Sequence, residues 1–127
     1  MRNLFVFICL TLISISSYGE WRKISQNEGI VIYVDNEKII KNNAQSKVWT
    51  LFDFSKPEKN TTGNSYSSLI TLWLYDCKDS THKILSGTQY AMNMGNGKVI
   101  NQLPETKNWE YVVPNTFGET IGKIACK

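Results

Sequence analysis

The sequence predicts an α+β domain, a β-sheet covered on one face by a carboxy-terminal helix that a disulfide ties to it. Three observations carry that expectation. In SYSSLITLWLYDC, Ser65 to Cys77, Ile70, Leu72 and Leu74 would point one way and Leu69, Trp73 and Tyr75 the other, so the segment reads as a central strand whose two faces both need cover. Near the end of the chain, Thr116-x-x-Glu119 forms a capping box behind Pro114-Asn115, and Phe117, Ile121, Ile124 and Ala125 share one face at helical spacing. Cys77 closes the strand and Cys126 follows the helix.

The chain has 127 residues, 42% of them hydrophobic and 12% aromatic, which suits one compact domain. Its net charge of +3 is mild, and the basic residues stand singly among acidic ones. No cluster exists to neutralise several phosphates together, so nucleic acid is not an expected partner.

Taken in order, the chain opens with MRNLFVFICLTLISISSYG: Arg2 beside the amino terminus, an apolar run from Leu4 to Ile15, and small residues at the exit. This is the pattern of a secretory signal peptide, residues 1–19, and the run is short of the ~20 residues that a spanning helix needs. Residues 20–127 then form the mature domain. Cys9 follows Ile8 and precedes more apolar residues, so it is expected to leave with the leader and not to carry lipid. Export to an oxidising compartment with only Cys77 and Cys126 left implies a structural disulfide, and closing a loop of that size stabilises by roughly 4 kcal/mol in the chain-entropy account. A redox pair would sit as Cys-x-x-Cys, and a metal site would want more Cys or His than the mature chain has, so no metal is expected.

In IVIYVD, Ile30, Ile32 and Val34 alternate with Val31, Tyr33 and Asp35, a β-branched strand with a buried face. Turn formers from Lys41 to Ser46 then make a tight connection between two strands, the short apolar pair Ile39-Ile40 and a longer run from Val48, in which Val48, Phe52 and Phe54 alternate with Trp49, Leu51 and Asp53. SKPEKNTTGNS, Ser55 to Ser65, reads as the longest loop, and it presents Lys56 and Lys59 as candidate ligand-binding residues. Beyond a polar turn at Lys78 to Thr81 with His82 in it, Ile84, Tyr90, Met92 and Met94 suggest another long strand, broken or bulged near Ser86-Gly87. Gly95-Asn96-Gly97 reads as a turn; a dinucleotide fingerprint would open a helix, and here Lys-Val-Ile follows. Met92 and Met94 with His82 read as packing residues in preference to haem ligands, so no cofactor is expected. In the carboxy-terminal helix Gly118 and Gly122 cost about 1 kcal/mol each relative to alanine, and packing with the Cys126 bridge must offset that.

Asp53, Asp76, Asp79 and Glu119 are available carboxylates and Ser67-Ser68 available hydroxyls, but no recognised spacing joins them. A nucleophile elbow would show Gly-x-Ser-x-Gly between strand and helix. No enzyme and no catalytic residue is expected.

An ordered set of residues carries a resemblance: Trp21, the YVD strand, Val48-Trp49, Ser65 to Ser68, Asp76-Cys77-Lys78, Tyr90-x-Met92, Met94-Gly95-Asn96-Gly97, Trp109, Val113-Pro114-x-Thr116 and Ala125-Cys126. Together they resemble the surface-adhesin protein E-like family over nearly the whole mature chain. The resemblance implies an antiparallel sheet of about six strands with a disulfide-tied carboxy-terminal helix. It also implies an outer-membrane-associated adhesin that binds vitronectin, laminin and other host proteins, dimerises and has been linked to haem. The matched residues are scaffold, so no ligand contact transfers by position. Two functions follow as expectations: an exported surface module for host extracellular-matrix proteins, or a periplasmic envelope accessory protein without a host ligand.

Overall fold

The computed structural model describes residues 20–127. The expected leader, residues 1–19 with Cys9, lies outside the described residues. Eight strands, β1 (Trp21–Asn27), β2 (Ile30–Asp35), β3 (Ile40–Asn42), β4 (Gln45–Lys59), β5 (Ser65–Asp76), β6 (Thr81–Tyr90), β7 (Val99–Leu103) and β8 (Glu110–Tyr111), precede helix α1 (Phe117–Ala125). They form one antiparallel sheet ordered β1-β2-β4-β5-β6-β7, with β3 beside β4 and β8 beside β6. The six strands of the main path agree with the antiparallel sheet of about six strands that the resemblance implies. β3 begins in the short Ile39-Ile40 strand that the sequence predicts, whereas β8 has too few residues to show a period.

Local chemistry sets the turns. Gly29 takes a φ of 81° between β1 and β2, a conformation in which a side chain would be strained. After β5, the Asp76 carboxylate accepts from the Lys78 and Asp79 amides at 3.1 and 3.0 Å, which closes the turn into β6. Thr116 caps α1 by accepting from the Glu119 amide at 3.4 Å, and Glu119 reaches back to accept from Asn115 N at 3.3 Å.

The alternation read in the sequence is the one that packs. Val48 lies opposite Trp73, Phe52 opposite Leu69, and Ile32 opposite Phe52. Ile32, Val34, Val48, Trp73 and Tyr75 form the core under α1, which contributes Ile121 and Ala125. Both helix residues are fully buried, and an isoleucine buried in this way contributes about 1.5–3 kcal/mol. Cys126 stands at the end of α1 and bonds Cys77 with their Cα atoms 5.6 Å apart, so the helix end is fastened to the strand end.

Leu51, Leu74, Ile70, Leu72 and Trp49 occupy the opposite face, where Leu51 and Leu74 are buried and the other three half-buried. Part of the cover is the connection from β6 to β7. Asp53 accepts from Asn93 Nδ2 and from Met94 N, while the buried Ser68 hydroxyl donates to the Met92 carbonyl at 2.6 Å and accepts from Gly95 N at 2.8 Å. A side chain at Gly95 would collide with Ile70, so the connection lies directly on this face.

Three expectations change. Ser55 to Ser65 is not one loop: β4 runs on to Lys59 and pairs with the start of β5, with Glu58 opposite Tyr66, after a register shift beyond Asp53. Pro57 fits within β4 because the shift is where a ladder tolerates a missing donor. His82 is not in a turn; it is the second residue of β6, opposite Tyr75. Met92 and Met94 are not on a strand, because β6 ends at Tyr90 and both belong to the connection that follows.

Candidate binding surface

The long β4–β5 hairpin projects an arm whose tip is built by Asn60. Its side-chain oxygen accepts from Thr62 N, Thr62 Oγ1 and Asn64 N at 3.1, 2.8 and 3.0 Å, and its Nδ2 donates to Gln89 on β6. This single side chain shapes the turn and binds it to the sheet. Phe54 and Tyr66 meet edge to face at 5.7 Å along the arm. Partial burial, with Glu58 across the ladder, raises the Tyr66 phenol above its usual range. Ser55 N donates to Gly29 O at the base, so the arm is anchored there as well.

Lys56 and Lys59 are both exposed on this arm. Lys56 joins Glu28 and Glu58 around a shallow cleft of about 460 Å³ beside Gly29 and Phe54. On the other side of the tip, Asn64 and Ser65 border a second cleft of about 400 Å³ with Ala91, Lys98, Val99 and Ile100. Lys56 thus stands at a mixed polar and apolar border, and Lys59 is exposed nearer the tip of the same hairpin. Such a surface suits contact with a macromolecule better than enclosure of a small ligand.

Sequence reasoning missed the sheet edge that continues this border. Met92, Val99, Trp109, Tyr111 and Val113 are exposed large apolar residues, and all follow β6 along the β7 and β8 side. Lys83 lies 5.3 Å from the Trp109 ring centre and pairs with Glu105 at 2.9 Å. The β1 edge instead carries exposed Arg22, Lys23, Gln26 and Asn27, the usual protection of a free strand. A signal was present in Trp109, Tyr111 and Val113 at period two, but Pro114 and the adjoining polar residues hid a strand of only two residues.

The other candidates are not assembled into a site. Eight residue steps along β6 take the chain from His82 to Tyr90, roughly 25 Å at strand rise, so His82 and Met92 stand at opposite ends of the sheet and form no shared ligand set. His82 packs against Trp73 and Tyr75 at 5.0 and 5.5 Å between ring centres. Asp53 and Asp76 accept from backbone amides, and Glu119 caps and pairs with Lys123 at 3.5 Å. These carboxylates serve local structure.

Comparison with known proteins agrees with the architecture. A family model described as surface-adhesin protein E matches residues 21–127. A structure of Haemophilus influenzae protein E superposes with a TM-score of 0.65 at 15% identity, covering 86% of this chain and 85% of that one. One of protein E from non-typeable Haemophilus influenzae gives 0.64 at 14% identity, covering 88% and 78%. At this identity the likeness is one of fold. No curated protein matches the chain closely enough to be counted.

Proposed function

The chain belongs to the surface-adhesin protein E family, and from that premise we propose that it is an exported bacterial surface module that binds host extracellular-matrix protein, vitronectin or laminin being the candidates the family implies. The observation that carries the reading is the β4–β5 arm: a hairpin that presents exposed Lys56 and Lys59, with Lys56 at a cleft it shares with Ile30 and Phe54. Exposed lysines speed encounter, whereas apolar groups that become buried supply most of the affinity. Rim charges lose their effect at high salt, so binding should weaken as ionic strength rises. Homodimerisation, which the family also implies, would use the apolar edge along β7 and β8, and sedimentation of residues 20–127 reads it directly.

The alternative is a periplasmic accessory role without a host ligand. An epitope tag on a surface residue of the domain, probed on intact cells, separates the two. Antibody access without permeabilisation supports the adhesin reading. Access only after the outer membrane is opened assigns the chain to the periplasm.

A further inference from the structure

We propose that Asn96 is a site of spontaneous deamidation, through a cyclic imide formed with Gly97, and that the modification unlocks the connection covering the second sheet face. Asn96 is the only asparagine in the chain followed by glycine, the neighbour that least hinders approach to the side-chain carbonyl. It is exposed, and among the described residues no hydrogen bond engages its side chain or the Gly97 amide. Three other loop asparagines are held by their side chains. Asn60 and Asn93 use their side chains to shape the arm tip and to reach Asp53, and Asn64 Nδ2 donates to Thr62 Oγ1. Asn96 rests extended at ψ 166°, so reaction waits on rotation about that torsion.

The Gly97 nitrogen attacks the Asn96 side-chain carbonyl carbon. A carbon–nitrogen bond forms, the Cγ–Nδ2 bond breaks, and the amino group leaves as ammonia with the proton from Gly97 N. Water then opens the five-membered imide at either carbonyl and leaves an aspartyl or an isoaspartyl residue at position 96. No electrons are exchanged. Both products place a carboxylate two residues before Lys98, which borders the cleft shared with the arm.

The isoaspartyl product also lengthens the main chain by one carbon where the connection is most tightly bonded. Met92 N donates to Asn96 O at 3.0 Å, Asn96 N donates to Asn93 O at 3.2 Å, and Ala91 N donates to Lys98 O at 3.0 Å. An added methylene cannot keep all three in register, and the turn they close sets Gly95 against Ile70.

Purified protein held at mildly alkaline pH in heavy-oxygen water, then mapped by mass spectrometry on the tryptic peptide ending at Lys98, tests this. Asn96 should be lost several-fold faster than Asn64 and take up heavy oxygen, with Asn96→Gln abolishing the shift in that peptide. The Met92 amide should exchange several-fold faster in the isoaspartyl fraction than in unmodified protein. Asn96 surviving after Asn64 has reacted, or no asparagine reacting, overturns the site. Equal Met92 exchange in the two fractions overturns the unlocking.

Discussion

The ring of Tyr75 occupies the space that a side chain on Gly122 would need: a Cβ at Gly122 would stand 2.8 Å from Tyr75 Cε1. The ring cannot retreat, because Tyr75 is 1% exposed and its hydroxyl donates to the Gly118 carbonyl at 2.7 Å. Burial pushes its phenol well above the usual range. Close approach of helix to sheet therefore depends on Gly122.

Gly122→Ala should lower stability by about 1–3 kcal/mol, even though helix propensity alone would gain about 1. Gly118→Ala is the contrast. A Cβ there meets His82 Nε2 at 3.4 Å, ordinary contact, so that variant should be neutral or more stable. Urea unfolding of the pair checks the account, and a Gly122→Ala protein more stable than the parent would contradict it.

Cys126→Ser should cost up to about 4 kcal/mol, and the sheet ladder should outlast α1 on denaturation. The helix has nine residues, too few to hold alone. Hydrogen exchange that loosens α1 and the β4–β5 ladder equally would count against the idea of a local staple.

The legible part of the fold was the part with a period. β2, β4 and β5 alternate cleanly and α1 announces its cap, so the residues that share a face, Val48 with Phe52 and Trp73 with Tyr75, were legible, whereas the register that sets Val48 opposite Trp73 and Ile32 opposite Phe52 was not. What stayed hidden depends on partners distant in sequence. Ser55 to Ser65 looked like a loop because the register shift that carries β4 on to Lys59 past Pro57 is a property of the β4–β5 pair. His82 looked like a turn residue because Lys78 to Thr81 is polar, yet its place is decided by Trp73 and Tyr75 across the ladder. Of the candidate site, Lys56 and Lys59 were legible as exposed charge. The apolar edge beyond β6 was not, since exposure is set by what fails to cover a residue.

His82 should make stability depend on pH below neutrality. Burial lowers its pKa, and the Glu110 carboxylate opposite it on β8 partly offsets that. The unfolded chain therefore binds more protons in that window, so stability is full above the unfolded value of about 6.5 and declines as pH falls through the folded one. Glu110→Gln should extend the decline further down in pH. Ring-proton NMR reads the titration, and an imidazole titrating at or above the free value would refute this.

Ser68→Ala should cost about 1–3 kcal/mol, because it removes the partner of both Met92 O and Gly95 N in a buried position. The Gly95 amide should lose protection first. Unchanged exchange there would mean that Asp53 alone fixes the connection.

The central claim is recognition of matrix protein through the β4–β5 arm. Lys56→Ala with Lys59→Ala should slow association and flatten its salt dependence while leaving the melting temperature nearly unchanged, since both side chains are exposed. The most direct measurement is surface-plasmon binding of residues 20–127 to immobilised vitronectin and laminin across a salt series. Micromolar or tighter binding that weakens with salt and associates more slowly in the double variant is the predicted result; no binding to either protein at high micromolar concentration in low salt would contradict it.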